Sequence, residues 1–84
     1  MQPLRTGVIG LGYFGERHAR IHAALPDAEL VAVADRDPAR VAAVTALTGA
    51  EGLDDAAALL ARPDIDAVSI CLPDRHHVEV AVMA

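Results

Sequence analysis

The 84-residue sequence contains no lysine and no tryptophan, and its one cysteine is Cys71. A single cysteine excludes an intrachain disulfide and a zinc cluster built on cysteines. The net charge is −5 and the seven arginines are scattered, so the clustered cations of a nucleic-acid surface are missing. There is no signal-peptide pattern and no apolar run of membrane-spanning length. We therefore expect a cytoplasmic protein that contacts neither nucleic acid nor membrane.

Aromatic residues are also scarce, with one Phe and one Tyr, although 54% of the residues are hydrophobic. The core must therefore consist of Val, Ile, Leu and Ala, a composition that suits a parallel sheet covered by helices on both faces. A chain of this length has room for about four strands at ordinary element lengths.

Short apolar runs alternate with helical patterns along the chain. The runs predict four strands: Leu4–Ile9, Leu30–Ala34, Glu51–Leu53 and Ala67–Leu72. The patterns between them predict three helices. The first is Tyr13–Leu25, the second is opened by Asp37 and Pro38 and ended by Gly49, and the third has its N-terminus favoured by Asp54-Asp55 and its pattern ended by Pro63. With a last helical segment after the fourth strand, the order is β-α-β-α-β-α-β-α. With right-handed crossovers this order predicts an α/β fold, a Rossmann-type doubly wound parallel sheet with strand order 3-2-1-4.

Two further predictions concern the buried face of the first helix and the last segment of the chain. In the first helix, the spacing of apolar residues predicts an inward stripe formed by Phe14, His18, Ile21 and Leu25. The last segment, from Asp74 to Ala84, has the pattern of a helix that starts and has no stop signal. We therefore expect residues 1–84 to be the amino-terminal part of a longer protein, with the edge of the fourth strand open to aggregation.

A glycine-rich turn joins the first strand to the first helix. Gly10 permits a tight turn, Gly12 lets a pyrophosphate approach the backbone, and Gly15 lets the helix pack close to the sheet. Asp35 ends the second strand about 20 residues after this turn, where a ribose-binding acid belongs. The pattern predicts a dinucleotide site rather than an ordinary turn.

The second strand end also bears on which dinucleotide binds. A carboxylate at Asp35 accepts hydrogen bonds from ribose hydroxyls and repels a 2′-phosphate. Arg36 has the opposite effect, because an arginine there can hold a 2′-phosphate or stack on adenine. We favour NAD as the cofactor, with NADP as the alternative.

The sequence resembles the amino-terminal domain of the glucose–fructose oxidoreductase / inositol dehydrogenase (Gfo/Idh/MocA) family over nearly its whole length. The matching segments are 7–15 with His18 after it, 31–37, and 66–73 with His77 after it. The resemblance implies that Tyr13, Phe14, Cys71, Leu72, Pro73 and His77 join Gly10, Gly12, Gly15, Asp35 and Arg36 in binding the cofactor. Leu72 and Asp74 depart from the family pattern, which has Thr and Asn there.

The resemblance also implies what the parent protein does. Members of the family transfer hydride between NAD or NADP and a sugar, inositol or related polyol, which a second domain binds. A lysine in a later E-K-P motif lies near the nicotinamide. This chain has neither that lysine nor that domain, so we expect the 84 residues alone to be inactive. Separately, we expect the parent enzyme to be a homo-oligomer. No catalytic or metal-binding residue is assigned.

Several alternatives stay open. His18 and His22 have a metal-ligand spacing but lack further ligands, which favours core packing. His77 is either structural or part of the cofactor crevice. Cys71 fits a small buried thiol better than a nucleophile. For function, the second hypothesis is a non-catalytic dinucleotide-binding or redox-sensing module. A methyltransferase is a weaker alternative, because the glycine spacing fits a pyrophosphate better. Within the enzyme class, some members of the family use the bound cofactor for hydrolysis or epimerisation.

Overall fold

The computed structural model describes residues 3–71 and 78–82. In this part of the chain the strands are β1 (Leu4–Ile9), β2 (Ala28–Ala34), β3 (Glu51–Leu53), β4 (Ala67–Cys71) and β5 (Val78–Val82). The helices are α1 (Tyr13–Ala24), α2 (Pro38–Thr48) and α3 (Ala56–Leu60). The strands form one sheet in the order β3-β2-β1-β4-β5. The predicted order 3-2-1-4 of the four parallel strands is confirmed.

Both faces of the sheet are covered, as the Val- and Ala-rich composition predicts. On one face, Val8 and Val33 pack with Val44 of α2 in a cluster of buried apolar residues. On the other face, Leu59 of α3 lies with Val68 in a second cluster. The central strands are therefore shielded from solvent on both faces, which explains why their sequences are continuous apolar runs.

The helix boundaries follow from local chemistry. Asp37 caps α2 by accepting a hydrogen bond from the Ala39 N–H at 2.9 Å, and Gly49 ends the helix in the left-handed region at φ 76°. Asp55 caps α3 through the Ala57 N–H at 2.7 Å. The predicted start of α2 at Asp37 and its end at Gly49 are confirmed, and α3 starts directly after the predicted Asp54-Asp55 pair. No helix in the described residues is both long enough and apolar enough to cross a membrane.

The predicted inward stripe of α1 is wrong. Ile21 is 52% exposed and Leu25 is 48% exposed, whereas Ala19 is fully buried and Gly15 is buried. The side chain of Phe14 lies outside the described residues, and His18 is only partly buried.

The rotation of α1 follows from the glycine instead of the apolar residues. A Cβ on Gly15 would overlap the carbonyl oxygen of Gly10, so this position is where helix and turn approach most closely. Residues four and seven positions later, Ala19 and His22, then face the sheet as well. Close approach at a residue without a side chain outweighs the burial of two larger residues farther along the helix.

The helix predicted from Asp74 to Ala84 is also wrong for the part that is described. Val78–Val82 forms β5, which pairs antiparallel with β4, Cys71 lying opposite Val78 and Ala67 opposite Val82. The Val-Glu-Val-Ala-Val sequence has the β-branched alternation of a strand. In addition, β4 offers a row of backbone groups that β5 satisfies. The predicted open edge of β4 is therefore covered.

We expect Gly15→Ala to lower the free energy of unfolding by at least about 3 kcal/mol, because the new methyl group forces the backbone of α1 away from Gly10. The matched control is Gly12→Ala. At Gly12 a Cβ meets only the Arg40 Nη1 atom, at 3.8 Å, so its cost should stay within about 1 kcal/mol. Urea unfolding of both variants tests this, and equal stability losses would contradict the packing role of Gly15.

Candidate functional site

A cleft of about 1240 Å³ opens where β1, β2 and β4 end. Its walls are the glycine turn, the turn between β2 and α2, the start of α3 and the end of β4. The strand β1 pairs with β2 on one side and with β4 on the other, so the direction of winding reverses at this point. Ligands of open α/β sheets bind at such a reversal, beyond the carboxyl ends of the strands.

Two of the three glycines in the turn are required by the protein itself. Gly10 has φ 85°, which favours glycine, and a Cβ there would overlap the Cys71 carbonyl oxygen. Its N–H also donates to the Ala34 carbonyl at 2.9 Å. Gly15 contacts the Gly10 carbonyl, as described above. These two glycines hold the turn in place between β1, β2 and β4.

Gly12 differs from both. Its φ of −69° is open to any residue, and within 4 Å a Cβ would meet only Arg40 Nη1. The free space beside it lies at the N-terminus of α1, which has no side-chain cap among the described contacts. The first N–H groups of a helix have no intrahelical partner, and the helix dipole makes this end attractive to anions. The backbone here therefore fits a phosphate group.

Asp35 holds the two turns of the site together. Its Oδ2 accepts from the Leu11 N–H at 2.6 Å, and its Oδ1 accepts from the Asp37 N–H at 2.8 Å. The Asp35 N–H donates to the Leu53 carbonyl at 3.3 Å. A carboxylate has about four acceptor positions, so roughly two remain for hydroxyls of a ligand. The sequence did not reveal that Asp35 also fastens the glycine turn.

Arg40 is a site residue that sequence reasoning missed. It lies in the first turn of α2, its Nη1 faces Gly12, and its Nε is 3.7 Å from Asp37 Oδ2. The half-exposed side chain is therefore a cation beside the uncapped helix end. Arg36, the arginine that the sequence singled out, is exposed and also lines the cleft. No local pattern pointed to Arg40, because its contact with the glycine turn is set by the packing of α2.

The remaining predicted site residues are only partly within the described structure. Cys71 lines the cleft at 8% exposure, and burial raises the pKa of its thiol, as expected for an unreactive packed residue. Tyr13 and Phe14 begin α1, but their side chains lie outside the described part. Leu72, Pro73 and His77 lie outside it entirely.

The two histidines of α1 lie away from this cleft. Their rings meet edge to face with centroids 6.3 Å apart, and His22 contacts the hydroxyls of Thr6 and Ser69. The core packing expected for the pair is only partial, because both residues are of intermediate exposure.

Known proteins are similar to this chain in sequence and in fold. The model of the Gfo/Idh/MocA oxidoreductase family, with an NAD-binding Rossmann fold, matches residues 4–84. An inositol 2-dehydrogenase of Rubrobacter xylanophilus is 38% identical over 80 residues, which are 94% of this chain and 23% of that protein.

Two solved structures have the same fold as this chain. One is scyllo-inositol dehydrogenase from Lactobacillus casei with NAD(H) and scyllo-inositol, with TM-score 0.79, 31% identity, and coverage of 90% of this chain and 23% of that one. The other is a 3-ketoreductase from Actinomadura kijaniata with NADP, with TM-score 0.79, 38% identity, and coverage of 90% and 25%. The chain thus spans about a quarter of the length of each of these three relatives.

We expect Asp35→Ala to destabilise the protein by about 1–3 kcal/mol without any ligand present, because two backbone N–H groups lose their acceptor. Asp54→Ala is the control, since Asp54 lines the same cleft and has no such bond among the described contacts. Thermal or urea unfolding measures both. Equal effects in the two variants would show that Asp35 does not fasten the turns.

Proposed function

The chain belongs to the Gfo/Idh/MocA family of oxidoreductases with an NAD-binding Rossmann fold, and on that premise we propose that it is the cofactor-binding part of a dehydrogenase. The substrate we propose is a hydroxyl group of a sugar, an inositol or a related polyol. The observation that carries the proposal is the free space at Gly12, beside an uncapped helix start and within reach of Asp35.

Different residues of the cleft would bind different parts of the cofactor. The N–H groups at the start of α1 would bind the pyrophosphate, with Gly12 allowing it to touch the backbone. Asp35 would accept the hydroxyls of the adenosine ribose through its remaining lone pairs. Cys71, Leu72, Pro73 and His77 would line the far side, where β4 ends, and Tyr13 and Phe14 the start of the helix.

The substrate class rests on the relatives. The inositol 2-dehydrogenase and the scyllo-inositol dehydrogenase are named for polyol oxidation, and the second holds scyllo-inositol in its structure. When bound, the nicotinamide supplies the hydride acceptor or donor. This chain has no lysine, so the lysine near the nicotinamide that the family resemblance implies would lie elsewhere in the parent protein. The role of residues 1–84 is therefore to bind and orient the cofactor.

Gly12→Val is the direct test of dinucleotide binding. A branched side chain there fills the space that the pyrophosphate needs, so we expect NAD affinity to fall by at least about 100-fold, the effect of losing roughly 3 kcal/mol. Calorimetry with NAD measures the affinity. The unfolding midpoint without NAD is the control, and Gly12→Ala gives a graded comparison. Unchanged NAD binding by a folded Gly12→Val protein would contradict the proposal.

We propose NAD as the preferred cofactor, with the arginines opposing that preference. Asp35 would repel a 2′-phosphate by up to about 4 kcal/mol at 4 Å with an effective dielectric of about 20. Arg36 and Arg40 are the described cations of the cleft, and Asp37 Oδ2 holds Arg40 only loosely, at 3.7 Å. Relatives with NAD(H) and with NADP both exist. The balance depends on which charge lies nearer the ribose 2′ position.

Replacing Asp35 with Ser should weaken NAD binding about 10- to 100-fold and strengthen NADP binding, because one charged acceptor and one repulsive charge disappear together. Arg36→Gln and Arg40→Gln form a matched pair. A residue facing the 2′-phosphate should affect NADP alone, whereas one facing the pyrophosphate should affect both cofactors. Higher affinity of the unaltered protein for NADP than for NAD would overturn the proposed preference.

A further inference from the structure

A row of polar side chains lies between α1 and the sheet, apart from the cofactor cleft. Thr6 of β1 and Ser69 of β4 are 4% and 5% exposed, in a region that is otherwise apolar. The His22 ring of α1 lies between them. Its Nδ1 is 3.0 Å from Thr6 Oγ1, and its Nε2 is 3.5 Å from Ser69 Oγ.

The direction of each hydrogen bond follows from the last acceptor of the row. Thr6 Oγ1 is 3.3 Å from the backbone carbonyl of Glu29, which can only accept, so the Thr6 hydroxyl donates to it. The same oxygen must then accept from His22, which places the proton on Nδ1. Nε2 is left as an acceptor for the Ser69 hydroxyl. A neutral imidazole with its proton on Nδ1 therefore satisfies every donor in the row.

We propose that Ser69, His22, Thr6 and the Glu29 carbonyl form a one-directional hydrogen-bonded chain that fastens α1 to three strands and acts as an acid-sensitive joint, which loosens when His22 is protonated. The chain links β4, α1, β1 and β2 in that order. It is independent of the proposed function, because it would exist in the protein without any cofactor.

The surroundings of the ring oppose protonation. Burial, and then the charge of His18 on the same helix, lower the pKa of His22. From β1 and β4 the ring meets hydroxyls, and from β2 the row ends on a backbone carbonyl. The charged groups nearest along β1 and before β4, Arg5 and Asp66, bind each other at 3.1 Å. The charged residue of α2 is Arg40, which forms an ion pair with Asp37 at the N-terminal end of that helix.

The sign of the pH effect follows from the lowered pKa. In the unfolded chain His22 takes up a proton near its ordinary pKa of about 6.5, whereas the folded protein resists protonation until lower pH. The folded state is therefore fully stabilised above the unfolded pKa and loses stability as the pH falls below it. The loss continues until the folded protein is protonated as well, at which point the ring carries a charge and the Ser69 hydroxyl has lost Nε2 as its acceptor.

Nuclear magnetic resonance of the ring nitrogens tests the joint directly. We expect His22 in the folded protein to carry its proton on Nδ1 and to titrate below the ordinary range. In Thr6→Val the acceptor of Nδ1–H is gone, so we expect the proton to move to Nε2 and bind Ser69. A His22 ring with its proton on Nε2 in the unaltered protein, or a pKa at or above that of an exposed histidine, would overturn the proposal.

Stability measurements give a second readout with a matched control. Between pH 7.5 and 5.5 the unfolding constant of the unaltered protein should rise relative to that of His22→Gln by up to about tenfold, the limit for one histidine that protonates only when unfolded. His18→Gln removes the other histidine of α1, which lies outside the row, and should retain most of this pH dependence. Identical pH dependence in the unaltered protein and His22→Gln would refute the joint, and the resonance experiment remains decisive if His22→Gln does not fold.

Discussion

The close contact between Gly15 and the carbonyl oxygen of Gly10 determines much of this structure. It brings the start of α1 against the turn after β1, so the free end of the helix points into the cleft. It also fixes the rotation of the helix, which turns Ala19 and His22 toward the sheet. The site at one end of α1 and the polar row at the other therefore depend on one position without a side chain.

The two hydrogen bonds that Asp35 accepts are a second constraint on the site. Whereas Gly15 sets the distance of α1 from the sheet, Asp35 ties the glycine turn to the turn before α2 through Leu11 and Asp37. A loop held at both sides needs little rearrangement when a ligand arrives, and less ordering entropy is lost on binding. The same carboxylate thus has a structural task and, in the proposed function, a task in binding ribose.

The sequence predicted those parts of the fold that depend on local chemistry. The caps at Asp37 and Gly49 and the bounds of β1 were correct because each depends on residues a few positions apart. The buried face of α1 was wrong because hydrophobic periodicity counts Ile21 and Leu25 but cannot weigh a contact with Gly10, a backbone interaction across the turn. Val78–Val82 forms a strand because the edge of β4 is available for pairing, and the local sequence pattern carries no information about that edge. Arg40 and His22 were missed as partners for the same reason, since their contacts are set by packing.

The distinction between the three glycines is what separates a binding site from a tight turn. Gly10 and Gly15 are explained by contacts within the protein, so their presence alone says nothing about a ligand. Gly12 has ordinary backbone angles and room for a side chain, so neither backbone strain nor a close contact within the protein requires glycine there. Among the described residues every buried side-chain polar atom has a hydrogen-bond partner. The backbone donors at the start of α1, by contrast, lack an intrahelical acceptor, and Gly12 leaves them open. An anion that approaches the backbone accounts for both facts at once.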